Sequence, residues 1–362
     1  MKTLLFLAAM TFIAGASPAQ GVDSLDLKIG QMIMIGIDER TSLPSNDPLV
    51  AELKSGRVGG VVLFEKNLAK KNTADNLTRL IVALKSASSQ PLWVSIDEEG
   101  GRVHRLKEKY GFFSVPSAAR LGRLNKADTT LHHHRKLAAL LSRLGINLNY
   151  APSVDMAVNK ANTVIVQSER SFGRSAVTVA RHAALCIRAH HEHEVRTVLK
   201  HFPGHGSSTG DSHLGLVDVT ATWQADELRP YDSLIGAGLC DAVMMAHIIN
   251  KRWGSDTPAT LSKTVATGML RQKLRFDGVV FSDDMQMDAI SDHYGFENAI
   301  QYAINAGVDV LMFANTLPSA YKRVSATQVH RVIKTLVQSG KIPRRRIDES
   351  YTRIMELKRR SF

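Results

Sequence analysis

Eight short apolar runs recur along the chain and constrain its fold more than any other feature of the sequence. Most are followed by a polar or glycine-containing turn and then by a stretch with helical spacing of apolar residues. The runs begin at Gln31, Gly59, Pro91, Ile146, Val195, Asp241, Gly278 and Val308, and the clearest helical stretches are 72–87, 131–145, 176–193 and 297–307. This alternation over 362 residues predicts a single-domain α/β protein, a parallel (β/α)8 TIM-like barrel, with a doubly wound open sheet as the alternative.

Charged side chains stand at the carboxyl ends of four of these runs, where barrel enzymes carry their active sites. In chain order they are Asp97, the pair Lys200 and His201, His247, and the pair Asp283 and Asp284. Such groups are costly beside buried strands unless they share a polar pocket. The sequence therefore predicts one catalytic pocket assembled from these strand ends.

The segment KHFPGHGSSTGDSH, residues 200–213, combines three histidines, an aspartate and three glycines. His201, His205 and His213 with Asp211 are suitable metal ligands, but metal-dependent barrel hydrolases need further ligands at the ends of the first and eighth strands. Those runs end in MIGIDE and FANT, so we predict no metal and no cofactor. The glycines lack the spacing of a nucleotide-binding loop and predict instead a hinge for a loop that moves over the pocket.

The run GVVFSDDM carries two adjacent carboxylates at its end. A carboxylate held rigidly at the top of a buried strand suits a nucleophile. Successive side chains of a strand point to opposite sides, so only one of Asp283 and Asp284 is expected to face the pocket. Asp284 can instead cap the helix that begins near Met285.

The first 20 residues have the pattern of a signal peptide: an early lysine, an apolar stretch and the small residues of GASPAQ. We therefore predict residues 1–20 as a signal peptide and 21–362 as the barrel domain. The apolar stretch is too short to span a bilayer, and no cysteine lies near the cleavage point to carry a lipid. The predicted location is the periplasm or the exterior, with no stable membrane insertion.

The net charge of +12 is spread over scattered basic residues without interleaved aromatic residues, so it predicts a solvated basic surface and no nucleic-acid partner. Cys186 and Cys240 lie in apolar surroundings and are predicted to be two buried thiols that do not pair. The histidine runs that begin at His132 and His190 lie in helices away from the strand ends. We interpret both as surface residues.

Four motifs in a fixed order carry a family resemblance: SIDEEGGRVHR, ERSFG, KHFPGHG followed by DSH, and FSDDM. Together they resemble the single-domain type of the β-N-acetylglucosaminidase branch of glycoside hydrolase family 3, from about Leu25 to beyond the eighth run. The resemblance implies that Asp283 is the nucleophile of a retaining hydrolase. It also implies that His213 is the acid/base and that Asp211 orients it.

The same resemblance assigns sugar-binding roles to Asp97, Arg105, Arg170, Lys200 and His201. An imidazole suits the acid/base role because its unperturbed pKa is near 6.5. The implied substrate is a carbohydrate with terminal N-acetylglucosamine, from peptidoglycan fragments or chitooligosaccharides. The alternatives are a family 3 β-glucosidase, a phosphorylase, a substrate-assisted mechanism that uses the acidic run 97–99, and an inactive carbohydrate-binding protein. The sequence assigns no oligomeric state.

Overall fold

The computed structural model describes residues 24–210, 215–316 and 323–360. Its strands are β1 (Ile33–Gly36), β2 (Gly60–Leu63), β3 (Trp93–Ile96), β4 (Leu148–Asn149), β5 (Arg196–Phe202), β6 (Val217–Asp218), β7 (Ala242–Met245), β8 (Ile248–Ile249), β9 (Val279–Asp284) and β10 (Val310–Phe313). All except β6 and β8 form a closed parallel barrel. Each barrel strand coincides with one of the eight predicted runs, with β5 extending one residue further, to Phe202, and this confirms the predicted barrel. The predicted signal peptide lies outside the described residues.

Helices surround the barrel, and several of them begin at a residue whose side chain caps the first turn. They are α1 (Ser24–Gln31), α2 (Pro48–Lys54), α3 (Thr73–Ala87), α4 (Ala118–Leu124), α5 (Ala127–Leu144), α6 (Ala176–His191), α7 (Arg229–Gly236), a π-helix (Thr264–Lys273), α8 (Asp288–Tyr294), α9 (Phe296–Ala306), α10 (Ala326–Gln338) and α11 (Arg344–Arg359). The side chains of Asp47, Ser175 and Ser325 accept first-turn N–H groups of α2, α6 and α10. Among the described residues, no helix combines the length and the apolar character needed to cross a bilayer.

The barrel interior is packed with side chains. Trp93 and Tyr150 lie 5.6 and 6.0 Å from the ring of Phe281, centroid to centroid. The Tyr150 hydroxyl lies 3.1 Å from Ser95 Oγ. Because these large residues fill the space between the strands, a substrate can reach only the end of the barrel, where the polar residues lie.

A small two-stranded sheet, β6 paired with β8, was not predicted from the sequence. Val219, Ala246 and Ile248 form a small buried cluster beside it, against which Trp223 and Trp253 pack. The sheet joins the chain that follows residues 211–214 to the chain that leaves β7. It therefore fixes the far end of the segment that contains the predicted acid/base residues.

Candidate active site

A cavity of about 450 Å³ opens at the carboxyl ends of the barrel strands. Three residues predicted from the sequence line it: Asp97 after β3, Arg105 in the loop that follows, and Asp283 near the end of β9. The rest of its lining is Phe64, Glu65, Lys66, Asp284, Met287, Met312, Ala314 and Thr316. The predicted nucleophile and two predicted sugar-binding residues therefore share one cavity.

Behind Asp97 lies a network of alternating charges. The almost fully buried Lys200 places Nζ 2.6 Å from Asp97 Oδ1 and 2.7 Å from Glu99 Oε1. Arg170 binds Glu99 in a bidentate manner, with Nη2–Oε1 and Nε–Oε2 distances of 2.7 and 3.0 Å. Arg105 Nη2 lies 3.4 Å from the other oxygen of Asp97. Each carboxylate thus contacts two cations, which fixes its position.

The cations determine the protonation state of this network. Burial alone raises the pKa of a carboxyl group, but Lys200 and Arg105 outweigh it and hold the pKa of Asp97 below its ordinary value. Burial likewise opposes ionisation of Glu99, yet Arg170 and Lys200 lower its pKa to about 2. Both carboxylates are therefore ionised at neutral pH. Asp97, at the cavity wall, can accept hydrogen bonds from sugar hydroxyls.

His201 extends the network to a carboxylate that the sequence reasoning missed. Its Nδ1 lies 2.7 Å from Asp155 Oδ2, and its Nε2 lies 3.2 Å from Arg170 Nη2. Burial opposes ionisation of Asp155, but the neighbouring His201 lowers its pKa well below the ordinary range. Because Asp155 can only accept and Arg170 can only donate, the ring proton of His201 is assigned to Nδ1, and Nε2 is left as an acceptor. Lys200, His201 and Arg170 therefore form one connected group behind the cavity wall.

Asp283 and Asp284 have different surroundings, as expected for adjacent strand residues. Asp284 is 9% exposed, and its Oδ1 accepts the N–H groups of Gln286 and Ala314, both at 3.1 Å. Both side chains line the cavity, but Asp283 is the more exposed of the two. Asp284 thus holds the turn after β9. The predicted helix cap is wrong, because the next helix, α8, begins at Asp288 and its N-cap is Met287. Asp283 is left facing the space that a substrate would occupy.

The start of the glycine-rich segment is held rigidly. A Cβ on Gly206 would lie 1.7 Å from Met156 O, and one on Gly204, whose φ is +116°, would lie 2.6 Å from Glu227 Cβ. Close packing therefore requires glycine at both positions, and Gly204 also needs it for its positive φ. The hinge stays a prediction. Asp211 and His213 lie outside the described residues, so their roles stay predictions.

The sequence of the chain matches a known protein family over nearly its whole length. The model of the glycosyl hydrolase family 3 N terminal domain matches residues 24–357, nearly the whole chain. The chain belongs to glycosyl hydrolase family 3. The predicted membership of this family is confirmed, and with it the prediction that the chain is a glycoside hydrolase.

Similar proteins of this family carry the names that the sequence motifs suggested. A β-hexosaminidase of Tolumonas auensis is 34% identical over 276 residues, which cover 74% of this chain and 79% of that protein. The structure of a family 3 β-N-acetylglucosaminidase from Paenibacillus matches with a TM-score of 0.84 and 34% identity, over 93% of this chain and 62% of that one. A β-N-acetylhexosaminidase structure from Beutenbergia cavernae matches with a TM-score of 0.81 and 28% identity, over 92% and 98%.

The interpretation of the two histidine runs as surface residues is wrong for His134 and His190. Both are buried between α5 and α6, and His134 Nδ1 lies 3.4 Å from the buried Cys186 thiol. The spacing of His134 to Leu137 and Leu141, on one helical face, is the sequence signal that indicates burial. Cys186 and Cys240 are both free thiols, which confirms that they do not pair. Only Cys186 is fully buried, so the prediction of two buried thiols is wrong for Cys240, which is half-buried.

His134, Cys186 and His190 are close enough together to raise the question of a metal. The hydrogen bonds of Asn149 argue against one. Its side-chain amide donates to the backbone C=O of Glu98 and accepts from the backbone N–H of Glu98, which fixes the orientation of the amide. Asn149 Nδ2 then donates to His190 Nε2, while His190 Nδ1 donates to Cys186 O at 2.8 Å. Both ring nitrogens of His190 are therefore used, and burial lowers its pKa to about 4, so a neutral hydrogen-bonded cluster fits better than a ligand set.

Proposed function

We propose that this family 3 chain is a retaining, exo-acting β-N-acetylhexosaminidase that removes terminal β-linked N-acetylglucosamine. The observation that carries the proposal is the shared cavity of Asp283, Asp97 and Arg105, backed by the contacts of Lys200 with Asp97 and Glu99. The names of the similar proteins support the choice of an N-acetylated sugar. An ionised Asp97 and neighbouring cationic donors suit a neutral, hydroxyl-rich substrate.

In the proposed mechanism, the Asp283 carboxylate attacks the anomeric carbon while the glycosidic oxygen leaves. His213, oriented by Asp211, donates a proton to that oxygen. The neutral imidazole then takes a proton from water, whose oxygen attacks the same carbon and releases Asp283. Two displacements at one carbon return the original anomeric configuration. Asp97 and Arg105, which line the cavity, hold the sugar hydroxyls during both steps, and Lys200 holds Asp97 from behind.

The proposed substrates are peptidoglycan fragments or chitooligosaccharides encountered outside the inner membrane. The signal-peptide pattern of residues 1–20 supports export to the periplasm or exterior. Accumulation of the protein in the periplasmic fraction after expression in a bacterial host, with loss of the first 20 residues, would support this location. Retention in the cytoplasm with an intact N-terminus would refute it.

Hydrolysis of matched aryl glycosides tests the sugar specificity. We expect 4-nitrophenyl N-acetyl-β-glucosaminide to be cleaved with a kcat/KM at least roughly 100-fold above that of 4-nitrophenyl β-glucoside, because a site built to bind the amide rejects an analogue that lacks it. Equal or reversed preference would identify a β-glucosidase instead. Release of sugar 1-phosphate in phosphate buffer would identify a phosphorylase.

A leaving-group comparison tests the acid/base assignment. His213→Ala should lower kcat/KM strongly for N,N′-diacetylchitobiose, whose leaving oxygen needs a proton. It should lower kcat/KM far less for 2,4-dinitrophenyl N-acetylglucosaminide, whose leaving group departs without one. An equal loss on both substrates would contradict the role of His213.

A further inference from the structure

Asp155, which follows β4, is a buried carboxylate whose partners lie at the end of β5 and in the chain just beyond it. Its side chain has no exposed surface. Oδ2 accepts from His201 Nδ1 at 2.7 Å and from Ser153 Oγ at 3.1 Å, while Oδ1 accepts the backbone N–H of His205 at 2.7 Å. The backbone N–H of His201 lies 3.2 Å from both oxygens. One carboxylate therefore contacts both the end of β5 and the chain beyond it.

The contact with His201 determines which ring nitrogen carries the proton. With its Nδ1–H donated to Asp155, His201 presents the lone pair of Nε2 to Arg170 Nη2 at 3.2 Å. Arg170 in turn holds Glu99, and Glu99 contacts Lys200. Loss of the carboxylate would allow the other tautomer, whose Nε2–H would point at a guanidinium N–H.

The contact with His205 fixes the first residues of the segment that leads to Asp211 and His213. Asn162 Nδ2 donates to the carbonyl oxygen of His205 at 2.8 Å, so both the backbone N–H and the backbone C=O of His205 are bound. The next residue, Gly206, packs directly on the backbone of Met156. The start of the segment therefore has one position, set largely by Asp155 and its neighbours.

We propose that Asp155 is a positioning residue that aligns the sugar-binding His201 with the base of the segment carrying the acid/base pair. This proposal rests on the proposed function and adds a residue to it. Among the described residues, Asp155 is not part of the cavity lining and makes no contact with Asp283. It acts by holding His201 in one tautomer and the chain at His205 in one place.

A second buried carboxylate, Asp241, provides a matched control. It lies just before β7, at the opposite end of the barrel from the cavity, and is 2% exposed. Like Asp155 it accepts from a histidine ring, His191 Nε2 at 2.5 Å, and from a backbone N–H, that of Thr197 at 3.2 Å. Asp155→Asn and Asp241→Asn therefore each replace a buried, histidine-bound carboxylate by an amide, at different distances from the site. Asp241 also lies 3.9 and 3.7 Å from the guanidinium groups of Arg196 and Arg360.

The test compares the kinetics and stability of the two variants with those of the wild type. We expect both substitutions to lower the free energy of unfolding measured in urea. Only Asp155→Asn should lower kcat/KM for 4-nitrophenyl N-acetylglucosaminide, by roughly 100-fold, since misplacement of binding and acid groups by about 1 Å costs that much. The KM should rise because His201 shifts, and kcat should fall because the acid/base segment shifts. Folded Asp155→Asn with kcat/KM within about twofold of wild type would overturn the proposal, as would an equal loss in Asp241→Asn.

Nitrogen NMR of the wild type keeps the proposal testable even if Asp155→Asn does not fold. With the His201 signal assigned by its loss in His201→Gln, we expect the proton on Nδ1. A proton on Nε2 alone would overturn the positioning role. This readout does not depend on activity, so a wild type that cleaves no N-acetylglucosaminide would refute the proposed function while the tautomer still tests Asp155.

Discussion

Replacement of Glu99 by glutamine should expose how strongly the charge network stabilises the fold. The Glu99 side chain is 6% exposed and contacts Lys200 and both nitrogens of the Arg170 fork. A neutral amide would leave Lys200 with Asp97 as its remaining carboxylate and would remove the one carboxylate that Arg170 contacts among the described residues. Removing one partner from a buried ion pair costs about 3–5 kcal/mol, so we expect a loss of that size in the free energy of unfolding at pH 7.

The pH dependence gives the same prediction a second readout. The pKa of Glu99 is about 2 in the folded protein, below the ordinary 4.5. The stabilisation it contributes is therefore fully present above about pH 4.5 and is lost as the pH falls towards 2, by about 3 kcal/mol in total. Urea unfolding followed by circular dichroism between pH 3 and 7 should show this slope in the wild type and a weaker slope in Glu99→Gln.

Glu65 is a matched control for this experiment. Its pKa is also about 2, held there by Lys107 and Lys109, but its side chain is 30% exposed. Solvent screens such pairs, so Glu65→Gln should cost less than about 1 kcal/mol. The reasoning is refuted if Glu99→Gln costs as little as Glu65→Gln, or if Glu99→Gln keeps the slope of the wild type.

Two further predictions compare neighbouring or similar positions. Asp283→Asn should lower kcat by roughly 10⁴-fold or more, as loss of a nucleophile does, whereas Asp284→Asn keeps the oxygen that accepts two backbone N–H groups and should retain most activity. Comparable losses in the two variants, measured with an aryl N-acetylglucosaminide, would contradict the assignment. Gly206→Ala places a Cβ 1.7 Å from a backbone carbonyl and should lower the melting temperature by several degrees, while Gly236→Ala, in open space within α7, should raise it slightly. A harmless Gly206→Ala would show that this backbone moves freely.

The barrel and the cavity wall were predictable because their signals are local. Each apolar run bounds its own strand, and a charge that directly follows it, such as Asp97 or Asp283, lies at the carboxyl end. Asp155 carried no such signal, since it lies in the loop beyond the two-residue strand β4. Its partners His201 and His205 are 46 and 50 positions away in the chain. Its role therefore becomes apparent only from the folded structure.

The burial of the helical histidines and the close packing of the two glycines were not predicted, for different physical reasons. His134 was interpreted by residue type, although its spacing to Leu137 and Leu141 already indicates a buried helix face. Gly204 and Gly206 were interpreted by their conformational freedom. Both glycines also pack closely against other parts of the chain, and contacts of this kind cannot be predicted from a single segment of the sequence.

Covalent trapping tests the central claim, that Asp283 is the nucleophile of a retaining hydrolase. The enzyme is incubated with 5-fluoro-N-acetylglucosaminyl fluoride, which forms the glycosyl-enzyme and releases it slowly, and is then digested and analysed by mass spectrometry. We predict the label on the peptide containing Asp283, with fragment ions that assign it to that side chain. A label on another residue, or turnover of substrate without any adduct, would contradict the account.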